Sequence, residues 1–470
     1  MAKIVALAAY FYQAAVAFGL LVVVAHWLAP ADYSAYSLFI SISQFAAIFC
    51  FEWIRFACSR FYPGLPGSEA AERAALKREF AACALLCIAA ACVAIPFGVP
   101  WPVALVGSLV AILQGASDLH LTMLRFRQEF RSFSRLQGSR ATILALGTLG
   151  GALVYPTFLA TVGGLLAGYV VYTLLAIAIS RSGAGVSEGR FDAAVVRKHF
   201  VYGSVAAGAS VVGLLAPLGL KSILTAALGA GGAAGALLAL DLLQRPFVLI
   251  VSALQAIQYP DVVSLFDRDG ETAALRTRLG AYYSLLTGFT LMTAAGIFAL
   301  LQPVGLFVIA PALRSGFLDA APFVVGLSVC RALTLNMLPT PAHLRHRLRS
   351  IFLLSAVDCL FLNGCALVAG ALIGPASASL MVGAMVGALL AMLYGVRVLM
   401  TLPFDFVWQP VAFAAIGLAI PVLATSGFGH ALWLSVTIGI VGGAAFCVAG
   451  LYSYFIRLFR SPVALENEML

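Results

Sequence analysis

Four charged side chains stand deep inside apolar runs of this chain: Asp241, Arg245, Arg331 and Asp358. At about 1.5 Å of helical rise per residue, all four fall near mid-depth of their runs. A charge at the centre of a bilayer costs at least about 2.5–3.5 kcal/mol, so it has to line a cavity or be paired. Two kinds of chemistry suit such a set. Arg245 and Arg331 can form an anion seat, because the guanidinium fork matches phosphate and carboxylate geometry. Asp241 and Asp358 can titrate and so couple movement to a cation or proton. The alternatives are plainer: Asp241 and Arg245 as a self-neutralising i,i+4 pair, and Arg331 with Asp358 as a packing ion pair. Four similar depths also allow the whole set to converge.

Shallower charges extend the candidates. Glu52 and Arg55, at i,i+3 near the end of the second run, either guard an entrance or pair at the interface. Asp118 and His120 read as a helix-packing pair or a proton relay, and Arg140 as a snorkelling side chain. Lys221, near the end of the seventh run, either snorkels or meets substrate at an exit. Thus Arg245, Arg331, Arg55 and Lys221 are the expected substrate contacts, and Asp241, Asp358, Glu52 and Asp118 the expected ion-coupling groups. Tyr10, Tyr12, Gln13, Tyr33 and Tyr36 could stack on or hydrogen-bond sugars. An interfacial aromatic belt accounts equally well for Tyr33 and Tyr36.

The elements that position these residues follow from composition. Of 470 residues, 62% are hydrophobic and 10% are charged, too few charges for a water-facing surface. Soluble enzymes, disordered chains and coiled coils are excluded. Fourteen apolar runs reach spanning length: about 4–28, 34–56, 80–99, 102–124, 134–155, 157–180, 199–225, 232–258, 278–301, 319–339, 350–372, 376–399, 406–426 and 431–456. Continuous apolar character calls for helices, since a barrel strand would alternate. The spans predict an all-α polytopic membrane protein.

Basic residues alternate with the connections. Arg60, Arg73, Lys77 and Arg78 lie between spans 2 and 3, and Arg125, Arg127 and Arg131 between 4 and 5. Arg181, Arg190, Arg197 and Lys198 lie between 6 and 7, Arg268, Arg276 and Arg278 between 8 and 9, and Arg345, Arg347 and Arg349 between 10 and 11. The opposite connections hold Arg314 alone. By the positive-inside rule both termini are cytoplasmic, which also accounts for the net charge of +9 without nucleic acid. The 12–13 connection is the thinnest, with Arg397 only. The segment Ser68–Phe80 reads as a charged helical lead-in, either solvated or touching a partner or membrane surface.

A Leu, a tight turn of small residues and an immediate re-entry recur after span 1 (Trp27–Leu38) and after span 7 (Ala227–Leu238). Two six-helix lobes related by a parallel pseudo-two-fold follow, with two extra C-terminal helices. The expected divisions are 1–181, a linker 182–198, 199–400 and 401–470. Glycine pairs Gly147/Gly151, Gly164/Gly168, Gly383/Gly387 and Gly439/Gly443 predict close helix packing. The nine cysteines read as small buried apolar groups.

The stretch LAPADYSAYSLFISISQFAAIFCFEWIRFACSRFYP (Leu28–Pro63) resembles the start of Wzx-type polysaccharide flippases of the MOP superfamily, which also holds the MATE drug exporters and the lipid II flippases. Those members tend to carry an L-G-P-x-x-Y/F-G turn. Here Ala29 and Ser34 replace its glycines. QPVGLFVIAPALRSGFLDAA (Gln302–Ala321) is a second local resemblance. The resemblance implies a flippase moving undecaprenyl-pyrophosphate-linked repeat units from the cytoplasmic to the periplasmic leaflet of a bacterial inner membrane. It would feed O-antigen, capsule or exopolysaccharide synthesis. It further implies a lipid-linked oligosaccharide substrate, proton or sodium coupling, polymerase and chain-length regulator partners, and a monomer.

No GxxxxGK[ST] loop, HExxH or GxSxG motif occurs, and the six histidines are scattered. No cofactor, metal or enzymatic activity is expected. A MATE-like cation-coupled drug exporter is the nearest competing reading, and favours a cavity dominated by acids. A polymerase or ligase is the next, and calls for a long outer loop where every connection here is short.

Overall fold

The computed structural model describes residues 2–61, 69–126, 129–180 and 192–427, and among them it is helical throughout, with no strand. The helices are α1 (Ala2–Trp27), α2 (Pro30–Phe61), α3 (Glu69–Ala94), α4 (Trp101–Phe126), α5 (Phe130–Val154), α6 (Phe158–Ser180), α7 (Ala193–Asp269), α8 (Ala273–Pro303), α9 (Pro311–Asn336), the short α10 (Thr340–Leu344), α11 (Leu348–Ile373), α12 (Ser377–Leu399) and α13 (Trp408–Gly427). Each of the first thirteen predicted runs overlaps one of these helices; the run at 431–456 lies outside the described residues. Among the described residues, nine segments are long and apolar enough to cross a membrane by length and composition, α7 counting once. The chain is a multi-pass membrane protein.

The helix α7 is two spans. Gly229 interrupts it at φ 72°, ψ 162°, a conformation that costs a Cβ-bearing residue but not glycine. The chain reverses there, so residues 193–228 (α7a) and 230–269 (α7b) form a hairpin. A turn of π-helix, Val304–Val308, ends α8. The Arg314 guanidinium donates to the carbonyls of Gly305 and Leu306 beside that turn, at 2.8 and 2.7 Å, which satisfies carbonyls that a helix end leaves unpaired.

Within α1–α6, α5 packs on α6 and α1, and α2 on α4; within α7–α12, α11 packs on α12, and α9 on α7 and α12. The most extensive contact of all joins α2 to α7. The glycine pairs do what their spacing predicts. A Cβ on Gly147 or Gly164 would strike the backbone of the other, and one on Gly383 or Gly387 would strike the carbonyls of Cys365 or Phe361. So α5/α6 and α11/α12 meet backbone to backbone. Gly439 and Gly443 lie outside the described residues. Cys50, Cys58, Cys83 and Cys87 are buried as expected, whereas Cys92 is exposed. The charged lead-in at α3 is not simply solvated: Glu72 and Glu79 are both buried.

Candidate functional site

The α2–α7 contact is an antiparallel seam whose pairs fall in step along both helices. The start of α2 lies at the end of the molecule that carries the Gly229 turn. Its finish lies at the end where the Arg-rich connections cluster, here the basic face. From turn to basic face the partners are Ser34 with Ala230, Ser37 and Ser41 with Lys221, Trp53 with Gly203, and Phe61 with His199 and Tyr202.

Near the turn, the seam carries a buried polar knot. The Lys221 Nζ donates to Asp241 Oδ1 at 2.5 Å, to Ser41 Oγ at 2.8 Å and to Ser37 Oγ at 3.1 Å. Ser37 Oγ in turn donates to Asp241 Oδ2 at 2.6 Å, and the Tyr33 hydroxyl reaches the same oxygen at 3.4 Å. Ser34 Oγ donates to the Ala230 carbonyl at 2.5 Å. One carboxylate and one ammonium from the α7 hairpin therefore hold hydroxyls from α2. Sequence placed Lys221 as a snorkelling residue or an exit contact. Instead its ammonium turns inward and is buried, because Asp241 across the turn offsets the desolvation that snorkelling would avoid. Tyr33 and Tyr36 are buried in the same place, so they form no interfacial belt.

Arg245 and Asp241 are not an ion pair. Arg245 Nε donates to the main-chain oxygen of Asp241 at 3.0 Å, while the carboxylate is taken by Lys221. Among the described residues no carboxylate lies within ion-pair reach of Arg245, which stays half-buried close to Tyr33 and Tyr36.

Arg331 and Asp358 form the packing pair. Arg331 Nη2 stands 3.2 Å from Asp358 Oδ2 and donates to the Gly213 carbonyl at 3.3 Å, tying α9, α11 and α7a together. Asp358 is fully buried, and its Oδ1 has no partner among the described residues. Gly213 lies eight residues before Lys221 on α7a, about 12 Å along the helix. The four mid-depth charges therefore divide between two places and do not converge on one seat.

In α1–α6 the charges also pair. Glu52 accepts from Arg55 within α2. Asp118 on α4 accepts from Arg140 on α5 at 2.6 Å. Arg140 is thus a helix tie, not a snorkelling residue, and Asp118 is its partner. Tyr12 hydrogen-bonds Thr142 at 2.7 Å, and Gln13 accepts from Gln137 at 2.5 Å. These two side chains dock α1 on α5 and are not gathered with Tyr33 and Tyr36.

At the basic face the seam ends in a group that sequence reading passed over. His199 of α7 is 1% exposed; its Nδ1 lies 3.0 and 3.2 Å from the two oxygens of Glu79 on α3. Phe61 stacks on the imidazole, with centroids 5.6 Å apart and planes at 12°, and Lys198 Nζ sits 3.9 Å over the same phenyl ring. Trp53 packs edge-on against Phe200. A Cβ on Gly203 would strike the Trp53 carbonyl, so the backbones touch here. The available signal was Glu72 and Glu79, seven residues apart and on one face of α3. It was masked by the basic residues between them.

No protein-family model matches the chain, and no curated protein matches it in sequence. Solved structures do share its fold. The lipid II flippase MurJ in an inward closed conformation superposes with a TM-score of 0.70 at 12% identity, covering 95% of this chain and 98% of MurJ. An inward-facing multidrug resistance MATE transporter of the MOP superfamily gives 0.63 at 14% identity, over 83% of this chain and 94% of that one. An outward-facing structure of a MATE transporter of that superfamily gives 0.58 at 13% identity, over 85% and 96%. The chain has the fold of these transporters.

Proposed function

We propose that this protein is a MOP-type flippase that moves undecaprenyl-pyrophosphate-linked oligosaccharide repeat units across a bacterial inner membrane. Helices α1–α6 and α7–α12 act as two lobes, and alternating access proceeds by opening their seam first at one face and then at the other. The basic face is cytoplasmic, and both termini lie there. A polymerase and its chain-length regulator take the product on the far side.

The observation that carries this reading is Arg245. Asp241, Asp358, Asp118 and Glu52 are each matched by a Lys or Arg. Arg245 is the mid-depth cation left over, at the junction of the two helix groups and beside Tyr33 and Tyr36. An unmatched guanidinium flanked by aromatic rings suits a diphosphate carrying a sugar. A cation exporter would need the reverse, an acid without a matched base. Arg331 is committed to Asp358, so its part is structural and the seat rests on Arg245.

The test deletes the gene, profiles the surface glycan, and assays the sidedness of lipid-linked repeat units in inverted vesicles. The expected result is loss of polymer with full-length repeat units trapped on the cytoplasmic leaflet. Arg245→Ala should reproduce that loss at unchanged protein level. Intact glycan together with altered tolerance of cationic drugs would instead assign the chain to drug export.

A further inference from the structure

Every carboxylate that the sequence offered for ion coupling faces a Lys or Arg, whose charge persists across the physiological range. Glu52, Asp118, Asp241 and Asp358 are therefore poorly placed to exchange a proton. One buried acid differs. Glu79 faces His199, and imidazole is the side chain whose ordinary titration falls between about pH 5 and 8.

The surroundings of this pair are those of a proton site. Glu79, His199 and Glu72 are 5%, 1% and 6% exposed. Two of their polar atoms, His199 Nε2 and Glu72 Oε2, have no partner among the described residues. Glu72 lies two turns before Glu79 on the same face of α3, on the side from which the chain emerges at the basic face. The charges that face the group from each packed element are Glu72 and Glu79 on α3, Lys198 on α7 and Arg125 on α4, the last acting beside Cys58. On α2 the group meets the Phe61 ring and the buried Cys58 thiol beside Glu72, and on α3 the Cys83 thiol lies near Glu79. Burial holds the Glu72 carboxyl above its ordinary range, against the pull of Lys198 and His199. The pair also joins elements that alternating access must separate, since α3 belongs to the first six helices and α7 to the second group.

We propose that Glu79 and His199 form a proton-binding latch that closes the seam at the basic face and releases it when the pair gives up its proton. With one proton on the imidazole, an imidazolium faces a carboxylate and the pair is neutral. When that proton leaves the imidazole for water, a buried anion faces a neutral ring, and opening the seam to water relieves it. Adding a second proton, to Glu79, leaves a buried cation without its partner and opens the seam at the acid extreme. The proton is thus the coupled ion, and its site is this pair. The inference rests on the alternating-access reading above but not on the identity of the cargo.

The test uses the full chain in lipid nanodiscs without substrate. Spin labels attached through unnatural amino acids at positions 77 and 274 report the separation of the two helix groups at the basic face. Lys77 and Ala274 are both exposed. Between about pH 6 and about pH 8.5 the open population should rise at least about fivefold. In His199→Gln, whose amide keeps a donor but cannot titrate, it should change less than about twofold. Glu79→Gln should be equally flat, and it carries the test if His199→Gln fails to accumulate. A pH-insensitive wild type, or a wild-type response surviving in both variants, overturns the latch. A response abolished by the variants in protein that moves no glycolipid upholds the latch and removes the cargo assignment alone.

Discussion

The two ends of the α2–α7 seam are closed by different chemistry. Near the Gly229 turn, Lys221 and Asp241 bind three α2 side chains in a knot with lasting charge. At the basic face, a histidine and a glutamate hold α3 against α7, with aromatic rings packed around them. Both pairs are buried, and both tie the same two groups of helices, Glu79–His199 directly and Lys221–Asp241 through the α2 hydroxyls. The difference is what can undo them. The first yields only to a competing ligand or to mechanical separation, while the second yields to a change in proton activity. Under the proposed alternating access, which opens one face at a time, two closures that answer to different signals let each face be released separately.

The largest expected effect comes from breaking the knot. Asp241→Ala strands the Lys221 ammonium, and removing one member of a buried pair costs about 3–5 kcal/mol. Unfolding in mild detergent should show that loss equally at acid and alkaline pH. The double variant Lys221→Met/Asp241→Leu should recover stability to within about 1 kcal/mol of wild type. A strong pH dependence of the Asp241→Ala loss would erase the contrast between the two ends.

Next comes the basic face. Glu79→Gln should cost about 1–3 kcal/mol at about pH 6, where the wild type gains from a proton shared by the pair and the variant does not, and distinctly less at about pH 8.5. The same unfolding measurement at two pH values separates this from the knot. Gly203→Ala acts at the same end by steric means. Its Cβ meets the Trp53 carbonyl, so overpacking of about 1–3 kcal/mol should push the basic face open at every pH. Gly213→Ala, on the same helix with open space at its Cβ, should leave the inter-label distances unchanged.

The smallest effects sharpen the picture. Ser34→Ala removes one hydrogen bond near the turn and should cost about 1 kcal/mol. Because burial raises the Glu72 carboxyl, the wild type should lose stability as pH rises from the ordinary carboxyl range through that raised value. Glu72→Gln should remove this loss, with the two proteins converging below about pH 4. A difference that grows on acidification would contradict the sign.

The spans were readable because length and apolar content alone decide them; the first thirteen runs overlap helices. Close packing of α5 on α6 was readable from glycine spacing for the same reason, since the signal lies within one helix. Partners were not. Lys221 looked like a snorkelling residue because its distance from the end of the run suits a flexible stem. What redirects it is Asp241 across a turn, and Ser41 from a helix 180 positions earlier in sequence. Arg140 was misjudged for the same reason, its acid lying on a neighbouring helix. His199 passed for one of six scattered histidines because Glu79 stands 120 positions away. Apolar runs tell a helix that it is buried; they do not say which side chain it will meet.

The turn at Gly229 bears on how the protein is made. Lys221 and Asp241 are only 20 positions apart, on the two arms of one hairpin. Each alone would oppose partition into lipid by about 2.5–3.5 kcal/mol. Folded against each other, the arms carry no net charge from this pair, so the hairpin can leave the translocon as a single neutralised unit. Glu79 and His199 have no such local partner and must wait until α3 and α7 are both in the bilayer. One closure is therefore assembled from its own hairpin during synthesis, and the other is completed only when the two halves of the chain find each other.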